Sequence, residues 1–364
     1  MEKLRVGIIG IGKISGIYLQ NLTTLFSDMV SVTAVADLIR ERADQAVEEY
    51  GIPKALSVDG LLASSDVDLV LNLTTPDSHF DVCLRAVEAG KHVYVEKPLC
   101  ITMDNANLLL KKAGQKGVRV GGAPDTFLGS GIQTSRKLID DGWIGTPIGA
   151  TAFMMNHGHE HWHPAPEFYY KPGAGPMFDM GPYYLTALAN LLGPVESLSG
   201  SVKKSFDERT ISSEPLQGTK IQVEVPTHVV GIMNFASGVI GTIVTSFDVW
   251  SHSMPWIEIY GTEGTLRVPD PNTFGGPVLL KRFRAEEWSE MPLCFPYQDN
   301  SRGLGVAEMA EAIRAGRDHR ASGELAKHIL ELMHGFHDAA ASRSSYRVTS
   351  TCSRPEAMVS GGLK

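Results

Sequence analysis

The 364-residue sequence has only four cysteines, Cys83, Cys100, Cys294 and Cys352. They are widely scattered and form no C-x-x-C pair, so a disulfide-stapled secreted scaffold is not expected and a reducing, cytoplasmic setting is. No apolar run approaches the roughly 18 residues needed to cross a bilayer. The start, from Met1 into Leu4 to Ile9, has neither the charged opening nor the cleavage site of a signal peptide. Positive charge is also short: 33 Lys and Arg against 41 Asp and Glu give a net charge of -8, the wrong sign for gripping phosphate backbones. Neither nucleic acid nor membrane is expected as a partner. Internal repeats and low-complexity segments are absent as well. What remains is globular in composition, with 43% apolar, 20% charged and 8% aromatic residues, and is long enough for two domains at roughly 100 to 200 residues each.

The first third alternates short β-branched runs with helical spacing, the pattern of repeated βαβ units around a parallel sheet. Strands are expected at Arg5 to Ile9, Val30 to Ala36, Leu69 to Leu73, His92 to Glu96 and Val118 to Gly121. Helices are expected at Ile14 to Leu25, Arg40 to Tyr50, His79 to Ala89 and Asp104 to Lys116, with Gly51, Gly90 and Gly117 as stops. This is a doubly wound α/β domain of the Rossmann type over residues 1–124. Residues 125–364 read as an α+β domain with a large, mostly antiparallel open sheet. Its strands include His228 to Phe235 and Val239 to Phe247, joined through Ala236-Ser237-Gly238, and Ile257 to Tyr260 and Thr265 to Val268, joined through Gly261 to Gly264. Helices are expected near Ile132 to Asp140, Met180 to Leu192, Gly305 to Ala315 and Glu324 to Ala341.

Gly10-Ile11-Gly12-Lys13-Ile14-Ser15 follows the first strand and opens the first helix, the context of a dinucleotide phosphate turn. Gly10 permits the tight turn, Gly12 lets backbone N–H groups approach a pyrophosphate, and the helix start favours negative charge. Ser15 stands in the third glycine position. Asp37, ending the second strand, suits the ribose hydroxyls of NAD and repels a 2'-phosphate. Arg40 and Arg42 keep NADP open, and Asp37 also reads as an ordinary helix cap.

Two further strands end in Thr74-Thr75-Pro76-Asp77-Ser78-His79 and in Glu96-Lys97-Pro98. With the glycine turn, Gly90 to Pro98, Gly175 to Tyr183 and Gly261 to Leu266, these stretches resemble the Gfo/Idh/MocA oxidoreductase family over nearly the whole chain. The resemblance implies NAD(P)-dependent oxidation of a hydroxyl on a sugar, polyol or sugar derivative, in a homodimer or homotetramer built through the large sheet. It places Lys97 beside the nicotinamide and the reacting hydroxyl, and Thr75, Pro76, His79 and Glu96 around the cofactor. Asp179 and Tyr183 stand where the family most often has aspartate and histidine.

The residue chemistry agrees with those roles. Oxidising a carbinol requires a base for the hydroxyl proton and a fixed charge for the developing oxyanion. Lys97 can supply the charge, although an ion pair with Glu96 is the bland alternative. Tyr183 is the candidate acid/base. Asp179 is four residues from it, on one face if a helix starts there, and is also a good helix start for structural reasons. Asp125 either faces the substrate or makes a turn or cap. The loop Asn156-His157-Gly158-His159-Glu160-His161-Trp162-His163 would present its histidines together if extended. Metal is one reading of it; the reading adopted is substrate contact through His161 and His163, with no metal. Two other functions stay open: a glycoside-cleaving enzyme that uses transient ring oxidation, and a ligand-sensing regulator without catalysis.

Overall fold

The computed structural model describes residues 3–363; Met1, Glu2 and Lys364, at the outer ends of the two expected domains, lie outside them. In the first part of the chain β1 (Leu4–Ile9), β2 (Val30–Ala36), β3 (Leu69–Asn72), β4 (His92–Val95) and β5 (Val120–Gly122) alternate with α1 (Ser15–Thr23), α2 (Arg40–Tyr50), α3 (Val58–Ala63), α4 (Pro76–Glu88) and α5 (Met103–Lys116). The strands form a parallel sheet in the order β2-β1-β3-β4-β5. Its strands are nearly continuous apolar runs because helices cover both faces; every residue of β3 is buried. The order reverses between β1 and β3, which opens a crevice at the carboxyl ends of those strands.

The expected boundaries shift by one to three residues, most at the start of α4, which opens at Pro76 and not His79, and the three glycine stops carry positive φ, 66° at Gly51, 75° at Gly90 and 68° at Gly117. The short α3 was not expected. Its six residues are too few to show a helical period, and its start is fixed locally by Ser57, whose hydroxyl accepts a bond from the Gly60 N–H.

The second part contains α6 (Ser130–Asp140), β6 (Pro147–Met155), α7 (Pro176–Asp179), α8 (Gly181–Leu192), β7 (Val195–Lys203), β8 (Glu208–Thr210), β9 (Lys220–Gln222), β10 (His228–Phe235), β11 (Ile240–Ser246), β12 (Ile257–Gly261), β13 (Gly264–Val268), β14 (Val278–Arg282) and β15 (Ser289–Met291), followed by α9 (Leu304–Ala315), α10 (Gly323–Ser342) and β16 (Tyr346–Arg347). Nine strands form one sheet, β15-β14-β13-β12-β6-β11-β10-β7-β16, and β8 and β9 form a separate hairpin. The large sheet is antiparallel except for the pair β6 and β11, which run parallel. Buried α8 packs on β6. The opposite face, with Ile232, Asn234, Ile240 and Thr242, is partly open to solvent.

The chain does not divide at residue 124. Residues Phe295–Leu330 and those from Met358 onward join the first unit, and the second comprises Ser130–Cys294 and Glu331–Ala357. A reading by local pattern cuts a chain once, whereas the carboxyl-terminal segments return to a core already begun.

Candidate active site

In the first unit the candidate cofactor residues lie on the loops that leave the carboxyl ends of the parallel strands and in the first turns of the helices that follow. Gly10 has φ of 98°, and a Cβ there would stand 2.7 Å from the Leu73 carbonyl carbon, so only glycine fits. Gly12 differs. It has no positive φ and its Cβ would meet nothing within 4 Å; the fold does not need glycine at this position, and its bare backbone leaves room for a close ligand. The Ser15 hydroxyl donates to the Gly12 carbonyl at 2.7 Å and closes the turn, with Lys13 and Ile14 exposed between them.

Asp37 accepts the Ile11 N–H at 2.6 Å and the Ile39 N–H at 2.8 Å. It ties the end of β2 to the glycine turn and does not cap α2, whose cap position is Ile39. The following Leu38 is 97% exposed, an apolar surface beside the carboxylate that the sequence reading overlooked. Arg40 is engaged by Asp44 at 2.9 Å.

Thr75 precedes α4, and Pro76 is that helix's first residue. Buried His79 bridges two strand-end loops: Nδ1 is 2.7 Å from the Pro98 carbonyl and Nε2 3.1 Å from that of Thr74. Burial holds this imidazole below the ordinary histidine range, with the Lys97 charge acting in the same direction, although both carbonyls favour the protonated ring. Glu96 accepts the Tyr18 hydroxyl at 2.7 Å and the Lys97 N–H at 2.9 Å. Both residues therefore act on the backbone around Lys97, a part-exposed side chain at the end of β4.

Asp125 is engaged within the first unit. Its carboxylate is buried and accepts the N–H groups of Gly303 and Gly305 at 2.9 and 3.0 Å. It caps α9, and burial pushes its acid up to about 6. Of the two roles open in the sequence, the structure shows the cap, on a helix from a distant part of the chain.

In the second unit Asp179 ends α7 instead of starting a helix. The chain turns at Met180, and α8 begins at Gly181 with no side-chain cap. Tyr183, 8% exposed, is in the first turn of α8, its N–H bonded to the Met180 carbonyl. The Asp179 carboxylate lies 3.7 Å from His159 Nε2. That imidazole stacks on Tyr169, with centroids 3.8 Å apart, and meets Phe247 edge-on.

The loop does not present its histidines on one face. Gly158, with φ of 84°, breaks the extended alternation, and the rings diverge. His157 stacks on Trp250 at 3.4 Å, His159 goes to Asp179, His161 is exposed, and His163 packs against Phe168 and Tyr169. Among the described residues no group of histidines, cysteines and carboxylates is arranged to hold a metal ion. Sequence reasoning singled out His161 and His163 and missed His159 and Tyr169; only the glycine at 158 signalled that neighbouring histidines part company.

Residues 4–122 match a family described as an oxidoreductase family with an NAD-binding Rossmann fold, and residues 132–267 match the GFO/IDH/MocA C-terminal domain. The chain is 32% identical to inositol 2-dehydrogenase of Salmonella paratyphi B over 173 residues, 45% of this chain and 48% of that enzyme. It thus spans about half the length of the first curated relatives it matches. Inositol 2-dehydrogenase 3 of Saccharopolyspora erythraea is 28% identical over 290 residues, 75% of each chain. Among solved structures, an NAD binding oxidoreductase from Klebsiella pneumoniae superposes with a TM-score of 0.83 at 21% identity, covering 95% of this chain and 99% of that one. With one family's two domains matched in order along it, the chain belongs to the Gfo/Idh/MocA oxidoreductase family.

Proposed function

We propose that the protein is an NAD-dependent dehydrogenase that oxidises one hydroxyl of a sugar, polyol or sugar derivative. The carrying observation is the clamp on Lys97: Glu96 and His79 fix the backbone around it, at the same strand ends that carry the open turn at Gly12 and the Asp37 carboxylate. The residues fit the dinucleotide. Gly12 leaves the phosphates room, Lys13 and Ile14 form the exposed rim of the turn, Asp37 receives the ribose hydroxyls, Leu38 gives the adenine apolar surface, and Thr75 and Pro76 border the crevice at the end of β3. Nicotinamide, when bound, takes up the two electrons that leave the carbinol carbon.

The chain's own groups do the rest. Tyr183 accepts the hydroxyl proton. The Lys97 ammonium stabilises the oxygen as negative charge develops. Asp179 orients the substrate through its hydroxyls and holds His159 in register. NAD is favoured over NADP because Asp37 repels a 2'-phosphate and Arg40 is already committed to Asp44. The partly open sheet face around Ile232 suits a homodimer or homotetramer, and four unpaired thiols suit the cytoplasm.

Replacing Lys97 by Ala tests the reading. We expect kcat to fall by about 10²- to 10⁴-fold, read as reduced-nicotinamide absorbance over a panel of inositols, monosaccharides and anhydrosugars, while NAD affinity measured by calorimetry stays close to wild type. Parallel losses of affinity and turnover would count against it.

A further inference from the structure

We propose that the second unit carries a subsite for the second ring of a neutral glycoside, built around Trp250. This deepens the dehydrogenase reading, on which it rests, by naming the substrate class. Because β6 and β11 run parallel, the loops that follow them leave the sheet at the same edge, and they are tied together by bonds from Asn156 N–H to the Ser246 carbonyl and from Val249 N–H to that of Asn156. A cavity of about 750 Å³ opens there, lined by His157, Glu160, His161, Glu208, Arg209 and Trp250 among others. That is within the roughly 300 to 1,000 Å³ of ordinary small-molecule sites.

The lining chemistry selects a neutral, hydroxyl-bearing ligand. Glu160 is held by the Tyr170 hydroxyl at 2.7 Å and lies 3.4 Å from Arg209, whose guanidinium also pairs with Asp248. Glu208 is paired with Lys220 at 2.8 Å. Each charge has a partner, and the three carboxylates outnumber the two cations by one, a balance that turns away an anion and suits an uncharged polyol. Trp250 is 81% exposed although His157 is stacked on it, and an indole braced in this way is a flat apolar platform for the C–H face of a pyranose. His157 Nδ1 and Arg209 Nε are buried without a hydrogen bond among the described residues; a closed, purely structural wall rarely leaves two such groups unused.

One loop links the cavity to the candidate catalytic groups. Consecutive residues of one loop face different ways, His159 toward Asp179 and Glu160 toward the cavity. In the proposed arrangement the reacting ring is held through Asp179 and the second ring lies in this cavity, the two linked by adjacent residues of one loop.

The test uses the whole enzyme, with glucose and myo-inositol as one-ring substrates and cellobiose and phenyl β-glucoside as two-ring substrates. Trp250→Ala should raise KM for the two-ring compounds by at least about tenfold with kcat little changed, and leave the one-ring compounds within about twofold. Trp250→Phe should restore most of the loss. Equal effects on both classes, no effect on either, or a change only in sedimentation as a dimer or tetramer would overturn the subsite. Calorimetry of cellobiose on Lys97→Ala, with and without Trp250→Ala, separates the two claims. Binding weakened at least about tenfold by the second substitution upholds the subsite even if no sugar is oxidised. Turnover with binding unaffected by Trp250→Ala leaves the dehydrogenase and removes the subsite.

Discussion

Gly10 and Gly12, two residues apart in one turn, should fail in different ways when each is replaced by alanine. At Gly10 the new Cβ meets the Leu73 carbonyl carbon at 2.7 Å and the Thr74 nitrogen at 2.8 Å, on a backbone with φ of 98°. The left-handed strain costs about 1 to 2 kcal/mol and the overpacking about 1 to 3 kcal/mol, so Gly10→Ala should lose about 2 to 5 kcal/mol of stability without any cofactor present. At Gly12 a Cβ meets nothing, and stability should stay within about 1 kcal/mol of wild type. The methyl instead occupies the space through which phosphate oxygens approach the backbone. Losing one charge-assisted hydrogen bond, about 1.5 to 3 kcal/mol, should weaken NAD by roughly ten- to a hundredfold. Urea unfolding of the cofactor-free proteins and calorimetric titration with NAD separate the two effects. If Gly12→Ala unfolds as early as Gly10→Ala, or binds NAD as wild type does, the assignment of the turn is wrong.

Replacing Asp37 by Ser removes the charge that opposes a 2'-phosphate, and the ratio of kcat/KM for NADP over NAD should rise by at least about tenfold in parallel assays. Glu331 supplies an independent pH test. Burial opposes its ionisation, but bonds from Ser350 and Thr349 prevail and hold the acid down to about 2. A lowered acid contributes stability that is complete above pH 4.5 and disappears as the pH falls toward 2, here about 3 kcal/mol. Glu331→Gln should therefore have a lower urea midpoint than wild type at pH 7, and the gap should narrow below pH 4.5; a gap independent of pH would contradict the linkage.

The parallel sheet was legible because buried strands leave unbroken apolar runs, and the cofactor turn because its chemistry is local: strand, Gly10, Gly12, helix. β6 was not seen. Its buried face is Ala150, Ala152 and Met154, small because α8 lies against it, so alternation of size and polarity is faint. Asp179 was misjudged as a helix start because Pro182 and Met180 fit one, while Pro176, three residues earlier, opens a separate turn of helix. His159 was hidden among identical neighbours, and Asp125 could not be assigned without its partner. Contacts set by tertiary packing leave no periodic mark.

Asp125 caps a helix whose Gly303 lies 178 positions later in the chain. At roughly 5 to 20 residues per second on a ribosome, the nascent nucleotide-binding sheet waits about ten to thirty-five seconds for that helix. Throughout the interval a carboxylate destined for the interior remains hydrated and ionised, and the Tyr94 ring beneath Gly305 has no roof. Translation of the last fifth of the message, which adds no strand to the parallel sheet, is what allows that sheet to be sealed.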